Sequence, residues 1–242
     1  MIDYSYQTIA QLSNHHNNFT IKREVCQVKS EFSAQNLKTR RIKRAVEVSA
    51  QLFLRDGIET VKMTDIADES GIGVATLYRY FGTKTGIAIA AMTHLWDELK
   101  RMFSGVFDSG IFKSQPGIKQ VGDLMRMFIV LYEAHPTFMR LLSEFDLMIK
   151  TENVPKDQLI EYERSVIDFY PVFESAYLAG LADGTVREIE HFDLFYLSFG
   201  HSLMELSKKL IRGELLPSDD FSVATKELET IINTAVYYLK KE

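Results

Sequence analysis

Hydrogen-bond donors and short side chains are grouped between residues 73 and 84, where the chain reads GVATLYRYFGTK. Ala75 and Thr76 stand near the start of a helical pattern, and Tyr78 and Tyr80 follow further along. A helix that enters the major groove of DNA needs short side chains beside the base edges and donors on its flanks that bind phosphates. These residues therefore favour a DNA-reading helix, and a purely structural helical hairpin is the alternative.

The preceding stretch predicts the other half of a helix-turn-helix. Met63 to Ser70 forms a short amphipathic pattern with its acidic residues early, where the helix dipole favours them. Gly71 is expected to end this helix in the left-handed conformation, and Gly73 is an acceptable cap for a helix from Val74 to Phe81. Two helices joined by a tight turn are the expected result.

The charge distribution suits binding of DNA at one end of the chain. Residues 36–84 hold nine Lys or Arg against six Asp or Glu, a net charge of +3, whereas residues 85–242 hold sixteen against twenty-four, a net charge of −8. Phosphate affinity depends on local basic groups, so the overall charge of −5 does not argue against DNA. We expect Arg40, Arg41 and Lys84 to contact phosphates, whereas a solvated basic face is the alternative for Lys43 and Arg44.

The segment GIGVATLYRYFGTK, preceded by DIADES and by LFLRDGIETV, resembles the DNA-binding domain of the TetR family of bacterial transcriptional regulators (TetR/AcrR-like). The resemblance covers roughly residues 39–99 and implies a helix-turn-helix domain whose reading helix is Val74 to Phe81. The predicted DNA contacts are Arg40, Arg41, Thr64, Gly73, Val74, Ala75, Thr76, Tyr78, Arg79, Tyr80 and Lys84.

This sequence departs from the family pattern at three positions. Gly73 and Val74 replace residues that are often polar, which removes two possible donors, and Lys62 stands where a Ser or Thr cap is usual. Thr64 is then expected to be a weaker cap or a groove contact.

The rest of the chain predicts an all-α fold, since no alternating strand segment or repeat is present. Three parts are expected: a polar, mobile arm over residues 1–38, the DNA-binding domain over 39–99, and a helical effector-binding and dimerisation domain over 100–242. His15 and His16 in the arm lack nearby carboxylates or thiols, so no metal or cofactor is expected. A single cysteine and the lack of a signal or membrane segment predict a cytoplasmic protein without membrane contact.

The middle helices are rich in methionine and aromatic residues, which are usually core but can also line a cavity for an apolar ligand. The family resemblance implies an effector pocket in this part of the chain. The candidate residues are Met125, Phe128, Tyr132, Phe145, Tyr170, Phe173, Ser198 and His201, with Asp168 as a further polar candidate.

The last two helical patterns carry apolar seams that suit a four-helix arrangement. Since one chain supplies two helices, a homodimer would complete the bundle, and the family resemblance implies dimerisation here. The alternative is a seam buried within one chain. Its residues are Tyr196, Phe199, Leu203, Leu206, Leu210, Leu228, Ile231 and Ala235.

These patterns predict a ligand-responsive DNA-binding regulator, a repressor that releases a palindromic operator when it binds an apolar small molecule of unknown identity. A sequence-neutral architectural DNA binder is one alternative. A helical enzyme with a non-local active site is less favoured, because the chain carries no HExxH, GxSxG or GxxxxGK[ST] motif. We therefore expect no catalytic residues.

Overall fold

The computed structural model describes residues 18–167, 169–213 and 219–242, with the side chains of residues 35–166, 169–213 and 219–242. The helices are α1 (Asn18–Asp56), α2 (Met63–Ser70), α3 (Val74–Phe81), α4 (Lys84–Phe107), α5 (Gly110–Lys113), α6 (Gly117–Met125), α7 (Met127–Ala134), α8 (Pro136–Thr151), α9 (Ile160–Ile167), α10 (Tyr170–Asp183), α11 (Phe192–Arg212) and α12 (Ala224–Leu239), with 3-10 turns at Lys156–Leu159 and Phe221–Val223. The predicted all-α class is confirmed, and extended pairing within the described ranges is limited to one isolated bridge between Val186 and Lys240.

Helix α1 begins at Asn18, inside the arm that was predicted over residues 1–38. Residues 18–38 of the predicted arm are therefore helical, whereas residues 1–17, with His15 and His16, lie outside the described residues. Ile21, Val25, Val28 and Phe32 recur at helical spacing, and no Gly or Pro interrupts residues 18–56. The polar composition of this stretch hid a helical period that was present in the sequence.

The chain divides into two compact units, Met1–Ala45 and Val46–Glu242. In the first unit, the described side chains from residue 35 to residue 41 are exposed. The predicted boundary between residues 99 and 100 lies inside α4, which continues without a break to Phe107. No helix in the described part of the chain combines the length and the apolar character that crossing a membrane requires.

Within the second unit, the end of α1 and helices α2, α3 and α4 each contribute a fully buried apolar side chain. Phe53, Ile66, Leu77 and Ile87 are all 0% exposed. Helix α3 packs against α2 and α4. The reading helix of the predicted helix-turn-helix therefore rests on its two neighbours through Leu77.

Helix α8 lies at the centre of the remaining helices and contacts α4, α7 and α11. Six of its apolar residues are buried, so α8 is covered on several sides. Helices α6 and α10 approach most closely at two glycines, since a Cβ on Gly117 would lie 2.0 Å from the backbone nitrogen of Gly180. Helices α11 and α12 pack against each other, and α12 also packs on α6 and α7.

The glycine and proline pattern predicts about five helices after Pro116, whereas the described residues form seven α-helices there. One unforeseen break is at Arg126, which separates α6 from α7 with φ −63° and ψ −13°. These angles are nearly helical, so the break needs neither Gly nor Pro and leaves no strong signal in the sequence.

Candidate functional site

Helices α2 and α3 are joined by a three-residue turn over residues 71–73. Gly71 has φ 70° and ψ 25°, and its amide donates to the Ala67 carbonyl at 2.9 Å. The amide of Ile72 donates to the same carbonyl at 3.2 Å. This confirms the predicted left-handed end at Gly71, a conformation in which a Cβ would be strained. Gly71 therefore allows the tight turn between the two helices of the helix-turn-helix.

The start of α2 differs from the prediction. Lys62 occupies the cap position, and its backbone amide donates to the carboxylate of Asp65 at 2.8 Å. Thr64 is already the second helical residue and is exposed, so it does not cap the helix. The acid three residues after the cap is half of a capping box, and this was the signal available in the sequence.

Helix α3 has one buried side and one exposed side. Leu77 is fully buried, whereas Ala75, Tyr78 and Arg79 are exposed, with Tyr78 48% exposed. Positions 75, 78 and 79 share a helix face because residues three and four apart lie above one another. The half-buried residues are Val74, Thr76, Tyr80 and Phe81. The Arg79 guanidinium lies 5.5 Å from the centre of the Tyr80 ring, within the range of a cation–π contact.

The other predicted DNA contacts fall into separate groups. Thr64 and Gly73 are exposed in the second unit, and Arg40 and Arg41 are exposed in the first unit. Lys84, which was predicted to contact a phosphate, donates from Nζ to the Glu59 carbonyl at 3.0 Å. Burial lowers the pKa of Lys84, against the opposing charges of Glu152, Glu59 and Asp65. A phosphate contact by this amine would have to share or replace the bond to Glu59.

An apolar cavity of about 440 Å³ lies among helices α4, α7, α9, α10 and α11. Fourteen residues line it, and none of these is Lys or Arg. They are Trp96, Met127, Phe128, Leu131, Val166, Phe169, Tyr170, Phe173, Asp193, Tyr196, Leu197, Gly200, His201 and Met204. The volume falls in the range of small-molecule sites.

Half of the predicted pocket residues line this cavity, namely Phe128, Tyr170, Phe173 and His201. The other half do not, namely Met125, Tyr132, Phe145 and Ser198. Met125 and Phe145 belong to the core at 2% and 1% exposure, and Phe145 packs on the Tyr162 ring at 4.8 Å between ring centres. Ser198 is exposed, and the side chain of Asp168 lies outside the described residues.

Trp96, the single tryptophan of the chain, was not predicted to face the cavity. Its indole N–H donates to the Tyr162 hydroxyl at 3.2 Å, and its ring meets Phe138 edge to face at 5.0 Å. A tryptophan on a helix pattern predicts burial, but only the tertiary arrangement decides that one side of it borders a cavity.

The predicted dimer seam is largely internal to one chain, which corrects the expectation. Leu203, Leu210, Leu228 and Ala235 are 0%, 4%, 0% and 0% exposed in the single chain. Tyr196 lines the cavity, and the half-buried Phe199 packs on Phe195 at 4.8 Å. Leu206 and Ile231 are half-buried. These residues pack α11 and α12 against the core of the same chain. The sequence could not show this, because a helical period indicates which side of a helix is buried but not what covers it.

Exposed residues form a different stripe on each of these two helices. On α11 they include Leu194 and Leu197, at 58% and 45% exposure, followed by Ser198 and Ser202. On α12 they include Thr230, Asn233, Thr234 and Tyr237, and Tyr237 is 82% exposed. These exposed residues, unlike those of the predicted seam, belong to the surface of α11 and α12 that remains uncovered in the single chain.

Solved structures similar to this chain share its fold. A transcriptional regulator from Saccharomonospora viridis in complex with choline aligns with TM-score 0.63 and 16% identity, over 84% of this chain and 100% of that chain. A TetR transcription regulator from Haloarcula marismortui aligns with TM-score 0.61 and 16% identity, over 83% and 97%. The ketosteroid transcriptional regulator KstR2 of Mycobacterium tuberculosis aligns with TM-score 0.50 and 17% identity, over 84% and 96%.

The sequence comparisons point to the same class of protein. An HTH-type transcriptional regulator of Staphylococcus aureus (strain USA300) is 28% identical over 140 residues, which span 58% of this chain and 62% of that relative. The match thus covers about three fifths of the relative's length. Residues 37–91, which include the turn at Gly71 and helix α3, match the family model of bacterial regulatory proteins of the tetR family. Residues 37–91 therefore carry the DNA-binding domain of the tetR family of bacterial regulatory proteins.

Proposed function

We propose that this protein is a transcriptional regulator that binds double-stranded DNA through α3 and responds to a small apolar ligand in the cavity beside Trp96. The observation that carries the proposal is the exposed face of Ala75, Tyr78 and Arg79 after the Gly71 turn, on a unit that also contains the cavity. Small and hydrogen-bonding side chains at these positions suit a major groove. Such a regulator would act in the bacterial cytoplasm, where the DNA is.

The regulator would work as a homodimer. The exposed stripes of α11 and α12, rather than the predicted seam, are the surfaces available for pairing, with Leu194 and Tyr237 among them. A two-fold axis through these helices would present two copies of α3 to successive major grooves, about 34 to 36 Å apart. The operator would then be palindromic.

The ligand would oppose DNA binding, and the protein would act as a repressor. A molecule that fills the cavity favours the conformer in which the cavity is open, and α4 links the cavity residue Trp96 to the end of α3. Binding of ligand and DNA would be reciprocally linked, with a coupling of roughly 1 to 3 kcal/mol. One similar regulator was solved with choline and another is named for ketosteroids, which supports a small organic ligand here.

Selection of bound fragments from genomic DNA by the purified full chain would test this function. We expect enrichment of one palindromic sequence whose affinity exceeds that of a shuffled sequence at the same salt concentration by about a thousandfold or more. An affinity ratio near one would instead support the sequence-neutral architectural binder. Enrichment of a site without two-fold symmetry would contradict the homodimer.

A further inference from the structure

We propose that the cavity binds a lipophilic monocation, an apolar molecule with one positive charge such as a quaternary ammonium or phosphonium group. The aromatic rings of the cavity would surround the cation, and Asp193 would be its counter-ion. This inference rests on the proposed function, because it names the chemical class of the proposed effector.

Six of the fourteen residues that line the cavity are aromatic, namely Trp96, Phe128, Phe169, Tyr170, Phe173 and Tyr196. Several of these rings stand at large angles to one another. The Tyr196 ring lies 5.2 Å from Tyr170 at 77° and 5.2 Å from Phe173 at 61°, measured between ring centres and planes. Trp96 and Phe169 are 6.1 Å apart at 66°. Inclined rings present electron-rich faces in several directions, as a cation without hydrogen-bond donors requires.

The charges around the cavity favour a cation over an anion. Asp193, which is exposed, is the acid among the fourteen lining residues, and the lining also holds His201 but no Lys or Arg. It lies in the first turn of α11, and Tyr196 and Leu197 follow three and four positions later on the same face. An anionic ligand would meet this carboxylate with no lysine or arginine of the lining to offset it. A cation would gain from it.

The lining residue Tyr170 contacts a second carboxylate, that of Glu174, which does not itself line the cavity. Its hydroxyl donates to Glu174 at 3.3 Å. Burial, the charge and hydrogen bond of Glu174, and the charge of Asp193 raise the pKa of Tyr170, so the phenol stays neutral. The Tyr170 ring therefore has an acidic neighbour at its hydroxyl and an aromatic neighbour at its side. The apolar lining residues Met127, Leu131 and Val166 would contact the hydrocarbon part of the ligand.

A matched pair of lipophilic ions tests this inference on the purified full chain. Tetraphenylphosphonium and tetraphenylborate have nearly the same shape and opposite charges. Trp96 is the single tryptophan and lines the cavity, so its fluorescence reports binding of either ion directly, without DNA. We expect tetraphenylphosphonium to bind at least about tenfold more tightly than tetraphenylborate, because one carboxylate acts on both ions with opposite sign.

Two variants and a control separate the contributions of the Asp193 carboxylate and of the Tyr196 ring to ligand binding. Asp193→Asn should weaken binding of the phosphonium about tenfold and leave binding of the borate unchanged or stronger. Tyr196→Leu keeps apolar bulk but removes a ring, and it should weaken the cation severalfold more than the anion. Asp97→Asn makes the same change at an exposed residue of α4 that does not line the cavity, and it should leave both affinities unchanged.

The outcomes distinguish this inference from the proposed function. Equal or tighter binding of the borate, with Asp193→Asn silent, would overturn the cationic class while leaving an apolar effector in place. Binding of neither ion, with the chain folded by circular dichroism, would also overturn it, and operator selection would still test DNA binding independently. Phosphonium binding that depends on Asp193 but leaves operator affinity unchanged would support the ligand class and contradict ligand-controlled release.

Discussion

The carboxylate of Glu144 accepts a hydrogen bond from the backbone amide of Ile58, with the two atoms 2.8 Å apart. Glu144 lies on α8, whereas Ile58 follows the end of α1. The residue before it, Gly57, has φ 83°, and a Cβ there would lie 2.8 Å from Glu144 Oε2. Gly57 therefore allows both the turn and the close approach of the carboxylate.

Two further polar contacts accompany this one. Arg140 donates from Nη2 to the Leu54 carbonyl at 2.9 Å, and the Thr85 hydroxyl donates to the carboxylate of Glu152, which follows α8. Helix α8 thus holds the last turn of α1 and the first turn of α4, on either side of the helix-turn-helix. It also carries Phe138, which packs on Trp96 at the cavity.

We expect Glu144→Ala to lower the free energy of unfolding by about 1 to 3 kcal/mol, because the Ile58 amide loses its acceptor. Glu144→Gln retains an acceptor oxygen and should cost less. Urea denaturation followed by circular dichroism measures both values. Glu161→Ala, at an exposed residue of α9, is the control and should change stability little. A Glu144→Ala variant as stable as the wild type would show that water replaces the carboxylate at no cost.

Arg79→Ala should weaken binding to every DNA sequence and reduce the slope of log affinity against log salt concentration by about one. The reason is that we expect the exposed Arg79 guanidinium to contact a phosphate rather than a base. Fluorescence anisotropy on the selected operator, over a series of salt concentrations, measures the slope. Lys226→Ala removes one positive charge from an exposed position of α12 and should leave the slope unchanged. An unaltered slope in Arg79→Ala would remove this residue from the DNA surface.

The two sides of the terminal helices should respond differently to substitution. Leu203→Ala should lower the free energy of unfolding by about 2 to 5 kcal/mol, because Leu203 is fully buried within one chain. Tyr237→Glu should instead leave unfolding of the single chain nearly unchanged and weaken self-association, because Tyr237 is 82% exposed. Denaturation and sedimentation velocity distinguish the two effects. Normal self-association of Tyr237→Glu would place the dimer contact elsewhere.

Asp183 should make the protein less stable in acid. Its carboxylate accepts from the Thr185 hydroxyl at 2.6 Å, from the Gly117 amide at 2.7 Å and from the Thr185 amide at 2.9 Å. These hydrogen bonds, the one from the Thr185 side chain first, hold the pKa of Asp183 below its ordinary value. The folded state thus binds its proton less readily than the unfolded chain does. The stabilisation is fully present above the ordinary pKa of about 3.9 and is lost as the pH falls below it.

Asp183→Asn is the variant that tests this linkage. Its stability should decline less steeply than that of the wild type between about pH 5 and pH 3, measured by urea denaturation at each pH. Asp108→Asn changes another exposed aspartate, whose carboxylate pairs with the exposed Lys113, and should leave the pH dependence close to that of the wild type. Parallel curves for the wild type and Asp183→Asn would contradict the assignment.

The sequence by itself determined the features that depend on neighbouring residues. Gly71 ends α2 in the left-handed conformation, and α3 runs from Val74 to Phe81, because turn chemistry and helical period act within a few positions. The all-α class and the net positive charge of residues 36–84 were also predictable, because both depend only on composition and local pattern. Residues 18–38 are an exception, because their polar residues obscured a helical period that is present in the sequence.

Only the tertiary structure determined which residues the buried side of each helix contacts. The period of α11 and α12 marked Leu203 and Leu228 as buried, but their partners within the same chain, rather than in a second copy, came from the packing of several helices. Tyr196 faces the cavity and Phe145 the core for the same reason. Lys84 bonds to the Glu59 carbonyl, and Glu144 to the Ile58 amide, across long stretches of sequence. Helical periodicity indicates which side of a helix is buried. The residues that contact this side are determined only when distant segments of the chain pack together.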